Sequence, residues 1–358
     1  MEHQIKTAIN DAIIWHENLK ISLNNIDFNL DLDNQFPSIF NEFVKIFQNL
    51  DNLTNNLKQE KRKELKNYIQ NSSLVKLTSE GALFRQIISK PNGYAGDAQV
   101  MRYMYQNRFE GESNFEKIMH KIAASVITAE TVRKRKSFIK EIFESKLEKD
   151  SNVLSIAAGP ALEIKEFLEG NDNAVHFDAI DHDIDTLKDS LKNYKDDRLK
   201  YKLANAFNIL KGDKTVVVPR VKLIKYASKA DKNSFIKKLV LYKRTQINQE
   251  YDLVYSLGLY DYIKTFKNKN RGSIGLTTAL FKFVNPGGFL IIGNFSTNGP
   301  SWIRWHMNYV CNWELIYRDD SEINKFISGI DPDQIESVNI CEEKTGINKF
   351  IIIQKTNE

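Results

Sequence analysis

The sequence predicts an α/β protein: a mostly parallel sheet with an antiparallel last strand, joined to a helical amino-terminal region. Two observations predict it. From Ser151 onward, short apolar runs ("NVLSIAA", "AVHFDAID", "LKYKLANAF", "YDLVYSLGLYDYI", "GGFLIIGNF") alternate with helix-like segments, the pattern of a parallel sheet covered on both faces. Before that point the chain reads as mainly helical, with apolar residues recurring at three- and four-residue spacings.

In the first region, "FPSIFNEFVKIFQNL" places Ile39, Phe40, Phe43, Ile46, Phe47 and Leu50 on one helix face. "TAETVRKRKSFIKEIFESKLE" does the same with Val132, Phe138, Ile139, Ile142, Phe143 and Leu147. Between them, Pro91, Gly93 and Gly96 in "SKPNGYAGDAQVMRYMY" break any helix before periodicity resumes at Val100, and Asp97 can cap the helix that follows. After the five runs, "WELIYRD" and "NKFIIIQK" supply two late strands, the second reached through "EKTGIN", whose Gly346 suits a hairpin turn. The expected division is a helical region 1–148 and a sheet domain 149–358, the latter carrying a basic insertion at 211–249 between its third and fourth strands.

That insertion holds eleven Lys and Arg against Asp213 and Asp231, so it alone makes the chain basic; the whole carries +5 and the remainder is net negative. The amino terminus mixes charges of both signs, which excludes a secretory signal, and no stretch approaches a membrane span, so a cytoplasmic location is expected. Cys311 and Cys341 stand far apart without a CxxC or Cys/His cluster; they read as free thiols, and no metal site is expected.

Residues for binding cluster at the ends of the runs. The small turn Ala157-Ala158-Gly159-Pro160 after the first strand lets the backbone approach a ligand beside a helix amino terminus. It lacks the GxGxxG spacing of a pyrophosphate cradle. Asp181, 22 residues after Gly159, stands where such sheets place an acceptor for ribose hydroxyls, although Asp181 or Asp183 can equally cap the next helix. Asn205 ends the third strand, where its amide can reach an adenine edge or a loop backbone. Ser256, Leu257, Gly258 and Tyr260 end the fourth, lining a crevice or packing in the core.

The series VLSIAAGPALEI, AIDHD, LANAF, VYSLGLYDYI, FVNPGGFLIIGNFS resembles the Rossmann-like core of class I S-adenosylmethionine-dependent methyltransferases over residues 151 to about 298. More narrowly, "KPNGYAGD", "ETVRKRKSFI" and "GNFSTNGPSWIRWHMNYVCNWELIYRDD" resemble the methyltransferase family of extracellular factor (3-hydroxypalmitic acid methyl ester) biosynthesis, over roughly residues 80 to 355. The resemblance implies S-adenosyl-L-methionine as cofactor. It matches Ala157, Ala158 and Gly159 to the first cofactor motif, Asp181 to the ribose diol, Asn205 and Ala206 to the adenine side, and Ser256 and Leu257 to the strand-four wall. Tyr94 and Asp97 match a turn expected to close over the cofactor as a lid.

Candidates for the acceptor side are Tyr94, Asp97, Tyr260, Arg304 and His306, with Arg304 or Arg135 able to hold a carboxylate through paired donors. For each Arg the competing reading is a surface ion pair or a solvated face, and for His306 it is a satisfied helix histidine. The expected reaction is methyl transfer to a small molecule, forming a methyl ester on a fatty or 3-hydroxy fatty acid. Two alternatives stand: methylation of nucleic acid or protein held by the 211–249 segment, or a catalytically silent cofactor-sensing module.

Overall fold

The computed structural model describes residues 3–25, 31–219 and 242–358. The centre of the basic segment, 220–241, lies outside the described residues. The chain forms two compact units: Met1–Arg133 with Asn298–Glu314, and Lys134–Thr297 with Leu315–Glu358.

The first unit is helical: α1 (His3–Asn24), α2 (Leu32–Thr54), α3 (Gln59–Gln70), α4 (Ser73–Thr78), α5 (Ala82–Ser89), α6 (Ala98–Gln106), α7 (Asn114–Ser125) and the start of α8 (Ile127–Lys146), with a returning helix at Ser301–Tyr309. The periodicity of α2 has the expected consequence, since Ile39, Phe43, Phe47 and Leu50 are buried. Trp305 of the returning helix donates its indole N–H to Thr54 at 2.7 Å, and Gln70 donates to the carbonyl of Tyr309 at 2.6 Å. The "WIRWHMNY" segment therefore completes the helical unit's own core.

Among the described residues the second unit holds a nine-stranded sheet: β1 (Asn152–Ile156), β2 (His176–Asp181), β3 (Leu199–Leu203), β4 (Thr215–Pro219), β5 (Tyr242–Gln246), β6 (Tyr251–Ser256), β7 (Val284–Phe295), β8 (Ile335–Glu342) and β9 (Asn348–Lys355), ordered β5-β4-β3-β2-β1-β6-β7-β9-β8. The central five strands are parallel, and β9 lies antiparallel to β7. Alternation along the strands feeds both faces. Leu154, Ile156, Val254 and Ile292 enter one apolar cluster, while Val153, Phe177, Leu253 and Ile291 enter another with Ile139 and Phe143 of α8. Two buried faces explain why these strands read as continuous apolar runs. Helices α9 (Leu162–Glu169), α10 (Ile184–Asn193), α11 (Ala206–Leu210), α12 (Gly272–Phe281) and a short helix at Asp320–Asn324 also belong to this unit.

Two expectations about strands change. The segment "WELIYRD" is not a strand of the sheet. It makes one isolated bridge, Ser296 with Arg318, and spends its amides on the carbonyls of Asp261 (from Ile316, 2.7 Å) and Phe295 (from Arg318, 3.0 Å). The β7 edge it would need is paired along seven residues with β9. The β9 partner is instead β8, whose half-exposed, polar-rich pattern gives a weaker signal, as edge strands do. The expected hairpin is present, with Gly346 at φ +71°. The second difference is that the ends of the basic segment form β4 and β5, an antiparallel pair extending the sheet beyond β3.

Candidate active site

Strand order reverses at β1, which lies between β2 and β6, so the carboxyl ends of these strands open onto a crevice at the switch point. The turn after β1 is held in an unusual backbone. Ala157, Gly159 and Ala161 have φ of +55°, +54° and +50°, a region that costs an L-residue roughly 1–2 kcal/mol. Alternate left-handed residues curl the chain so that amides point to its concave side. A side chain built on Gly159 would meet nothing within 4 Å among the described residues, so that face is open. The turn is pinned to β2, because Ala158 N–H donates to the carbonyl of Ile180 at 3.0 Å and Gly159 N–H to Asp181 Oδ2 at 2.8 Å.

Asp181, buried at the end of β2, also accepts from Asp183 N–H at 2.9 Å. Capping of α10 falls to Asp183, which accepts from the amides of Asp185 and Thr186. That separates the two acidic residues the sequence left interchangeable. Each Asp181 oxygen takes one backbone donor, and a carboxylate has about four acceptor positions in all. His182 stands 3.3 Å away, and its hydrogen bond to Asp181 raises its pKa.

At the end of β3, exposed Asn205 caps α11 by accepting from Phe207 N–H at 2.9 Å, and Ala206 is that helix's first residue. At the end of β6, Ser256 is fully buried and its hydroxyl finds no partner among the described residues. Leu257 and Gly258 are half-buried. Arg135 reaches them from α8: its Nη1 donates to the Leu257 carbonyl at 3.0 Å, and a Cβ on Gly258 would lie 3.1 Å from that nitrogen. Glycine here lets the guanidinium lie against the backbone. Tyr260 sits in the core with its hydroxyl 3.0 Å from Thr277, which is the packing reading of that aromatic.

The remaining candidates lie in the helical unit. Asp97 is fully buried and caps α6 from Oδ1 (Val100 N–H, 2.9 Å), while Oδ2 accepts from Gln86 at 2.7 Å and Asn92 at 3.0 Å. It is the residue that closes the "KPNGYAGD" turn on itself. Tyr94 in that turn and Arg304 are half-buried. His306 is enclosed by Phe43, Phe47 and Phe84 at ring distances of 5.3, 4.5 and 5.3 Å, and burial lowers its pKa to about 3. It is a core histidine.

Two site features went unnoticed in the sequence. Arg318 is buried and donates to the carbonyls of Tyr260 (2.8 Å) and Ile263 and to Asn294 Oδ1, tying the loop after β6 to the end of β7. Asp261 is buried in the same loop, where its Oδ1 accepts from Phe295 N–H at 2.7 Å. Burial pushes its pKa up to about 7 against the pull of Arg135 and Arg318. A lone carboxylate inside "LGLYDYI" was the available signal.

A cavity of about 160 Å³ lies at the opposite ends of the strands, beside Asn152, His176, Asp178 and Arg198, and holds none of the candidate residues. Among the described residues no group of His, Cys, Asp and Glu is arranged for a metal ion, and no helix is long and apolar enough to cross a membrane. Both cysteines are free.

No family model matches the chain, and no curated protein matches it. Solved structures do. The chain is similar to a possible exported protein from Bordetella parapertussis, with a TM-score of 0.51 and 12% identity over 73% of this chain and 79% of that one. It is also similar to the CurJ carbon methyltransferase (TM-score 0.46, 11% identity, 99% and 92%) and to the N-methyltransferase NodS from Bradyrhizobium japonicum in complex with S-adenosyl-L-homocysteine (0.37, 11%, 63% and 87%). At 12% identity the likeness to the Bordetella protein is one of fold alone.

Proposed function

We propose that the protein is an S-adenosylmethionine-dependent methyltransferase whose acceptor is a small carboxylic acid, a fatty or 3-hydroxy fatty acid that becomes a methyl ester. The observation that carries this reading is the pairing of the left-handed, open-faced turn at Ala157, Ala158 and Gly159 with the Asp181 carboxylate across the switch point. The residues fit the cofactor: Asp181 has acceptor positions for a ribose diol, Gly159 leaves room for close approach, and Ser256 keeps a buried hydroxyl without a protein partner among the described residues. Asn205 and Ala206 would border the adenine, Leu257 would form the wall, and Arg135 would hold a carboxylate.

The bound cofactor would supply a methyl group already activated by a sulfonium. The chain would then need mainly to orient the acceptor and exclude water, an effect that can reach several kcal/mol. A carboxylate is ionised near neutral pH and needs no base. That suits this chain, in which Asp97 is spent on capping and His306 is held neutral among phenylalanines. Tyr94 and Arg304 stay candidates for the acceptor side.

Transfer of labelled methyl from S-adenosylmethionine to a panel of 3-hydroxy fatty acids, nucleic acids and cell extract tests the proposal. Label in an organic-extractable ester is the expected result; label in polymer, or none, contradicts it.

A further inference from the structure

We propose that the loop 264–271, after β6, docks on an anionic lipid bilayer, its lysines on the headgroups and the Phe266 ring in the interface. The docking stands on the loop's own chemistry, while its use, to collect an amphiphilic acceptor from the bilayer, rests on the fatty-acid reading just given.

The stretch "KTFKNKNR" carries Lys264, Lys267, Lys269 and Arg271 and no acidic residue, although the chain outside 211–249 is net negative. Every residue of it is exposed, and none of the four cations makes an ion pair among the described residues. The segment Lys325–Gly329 lies against the loop, since a Cβ on Gly329 would stand 3.4 Å from the Lys269 carbonyl. The acids that lead into that segment are committed elsewhere, Asp319 and Glu322 to a capping box and Asp320 to Lys349. The positive charge of the tip is therefore open to a partner.

The tip has a fixed form. Thr265 bridges Gly272, Ser273 N–H donates to the Lys264 carbonyl at 3.1 Å, and Arg271 N–H donates to the Asn268 carbonyl at 3.2 Å. Gly272, at φ +61°, opens α12, and a Cβ there would stand 2.6 Å from the Phe266 ring. The ring thus rests on glycine backbone, 48% exposed, instead of entering the core. Phe207, Tyr262 and Phe266 are the large apolar side chains that the sheet unit leaves exposed among the described residues. All three follow the carboxyl ends of strands, Phe207 on α11 after β3 and the other two after β6, and α11 packs against α12. This is the end of the sheet on which the candidate crevice opens.

Rings beside lysines suit the headgroup layer, which accepts amphipathic aromatics. Each cation near an anionic surface strengthens binding about fivefold, which is about 1 kcal/mol. A nucleic-acid strand asks instead for a groove that tracks its backbone over several nucleotides. A short loop exposed along its whole length offers no such groove, but it can meet a bilayer as a tip.

The full chain is sedimented with vesicles of phosphatidylglycerol and phosphatidylcholine, with vesicles of phosphatidylcholine alone, and titrated with a single-stranded RNA. Binding to the anionic vesicles is expected, weakening as salt rises. In K264Q/K267Q/K269Q it should be about a hundredfold weaker. The 211–249 segment is the same in both proteins, so the difference belongs to the loop. Brominated lipid should quench the added fluorescence of Phe266→Trp. Equal vesicle binding by wild type and triple variant, no binding to anionic vesicles, or an absence of quenching overturns the proposal. RNA binding that the triple variant loses, without vesicle binding by either protein, overturns it in favour of a nucleic-acid contact.

Methyl transfer to dissolved 3-hydroxydecanoate scores the fatty-acid reading separately, and the triple variant should match the wild type there. No ester from either protein overturns that reading and the tip's use, and leaves the docking to be decided by the vesicles.

Discussion

The two units bury different sets of titratable groups, although each hides a carboxyl, Asp97 as a helix cap in the helical unit and Asp261 in the sheet unit. The helical unit hides imidazoles, and burial lowers His16 to about 4 and His306 to about 3, so both are neutral at physiological pH. The sheet unit hides carboxyls and guanidiniums together: Asp261 is pushed up to about 7, Glu163 is raised, and Arg318 is lowered. Neutral histidines among phenylalanines serve packing. Buried charges are costly and persist where other groups oppose them, and in the sheet unit they surround the loop after β6 beside the candidate cofactor crevice. The contrast assigns the buried His16 and His306 of the first unit to its core.

The largest test of that contrast removes a buried charge from the sheet unit. Arg318→Ala leaves the Tyr260 and Ile263 carbonyls and Asn294 without their donor, so chemical denaturation should show a loss of about 3–5 kcal/mol. A loss below about 1 kcal/mol would mean that the clamp is dispensable.

In the helical unit the effect should depend on pH. The folded-state pKa of His16 is depressed, so the unfolded chain takes up the proton first, and stability that is full above about pH 6.5 is lost as pH falls toward about 4. Replacing the ring by His16→Phe should therefore leave a variant that, between pH 7 and pH 4.5, loses about 2 kcal/mol less than the wild type. Parallel losses would show that His16 is not the acid-sensitive group.

The smallest expected effect is in the turn. Ala157→Gly relieves a left-handed alanine and should stabilise the protein by up to about 1 kcal/mol in thermal melts, a sign opposite to that of most glycine substitutions. Destabilisation would show that the alanine methyl matters more than its backbone.

Much of this was legible in the sequence because it follows from local periodicity. Phe43 and Phe47 declared the buried face of α2, the apolar runs declared strands buried on both faces, and Gly346 declared the hairpin. Asp97 was readable as a cap because capping depends on residues three apart. What stayed hidden depends on distant partners. "WELIYRD" carries a strand-like pattern but meets an edge already taken by β9, and β8 is an edge strand whose polar residues blur its alternation. The burial of Arg318 and Asp261 is set by carbonyls and amides from segments tens of residues away, which no spacing rule encodes. The same holds for the division of labour between Asp181 and Asp183, decided by the Gly159 amide rather than by either residue's neighbours.

The measurement that bears most directly on the central claim is the affinity of the protein for S-adenosylhomocysteine before and after Asp181→Asn, with a thermal melt to confirm that the variant still folds. Loss of charge-assisted hydrogen bonds to the ribose predicts binding by the wild type and an affinity about tenfold or more weaker in the folded variant. Equal affinity in the two proteins, or no binding by the wild type, would contradict the assignment of this crevice to S-adenosylmethionine.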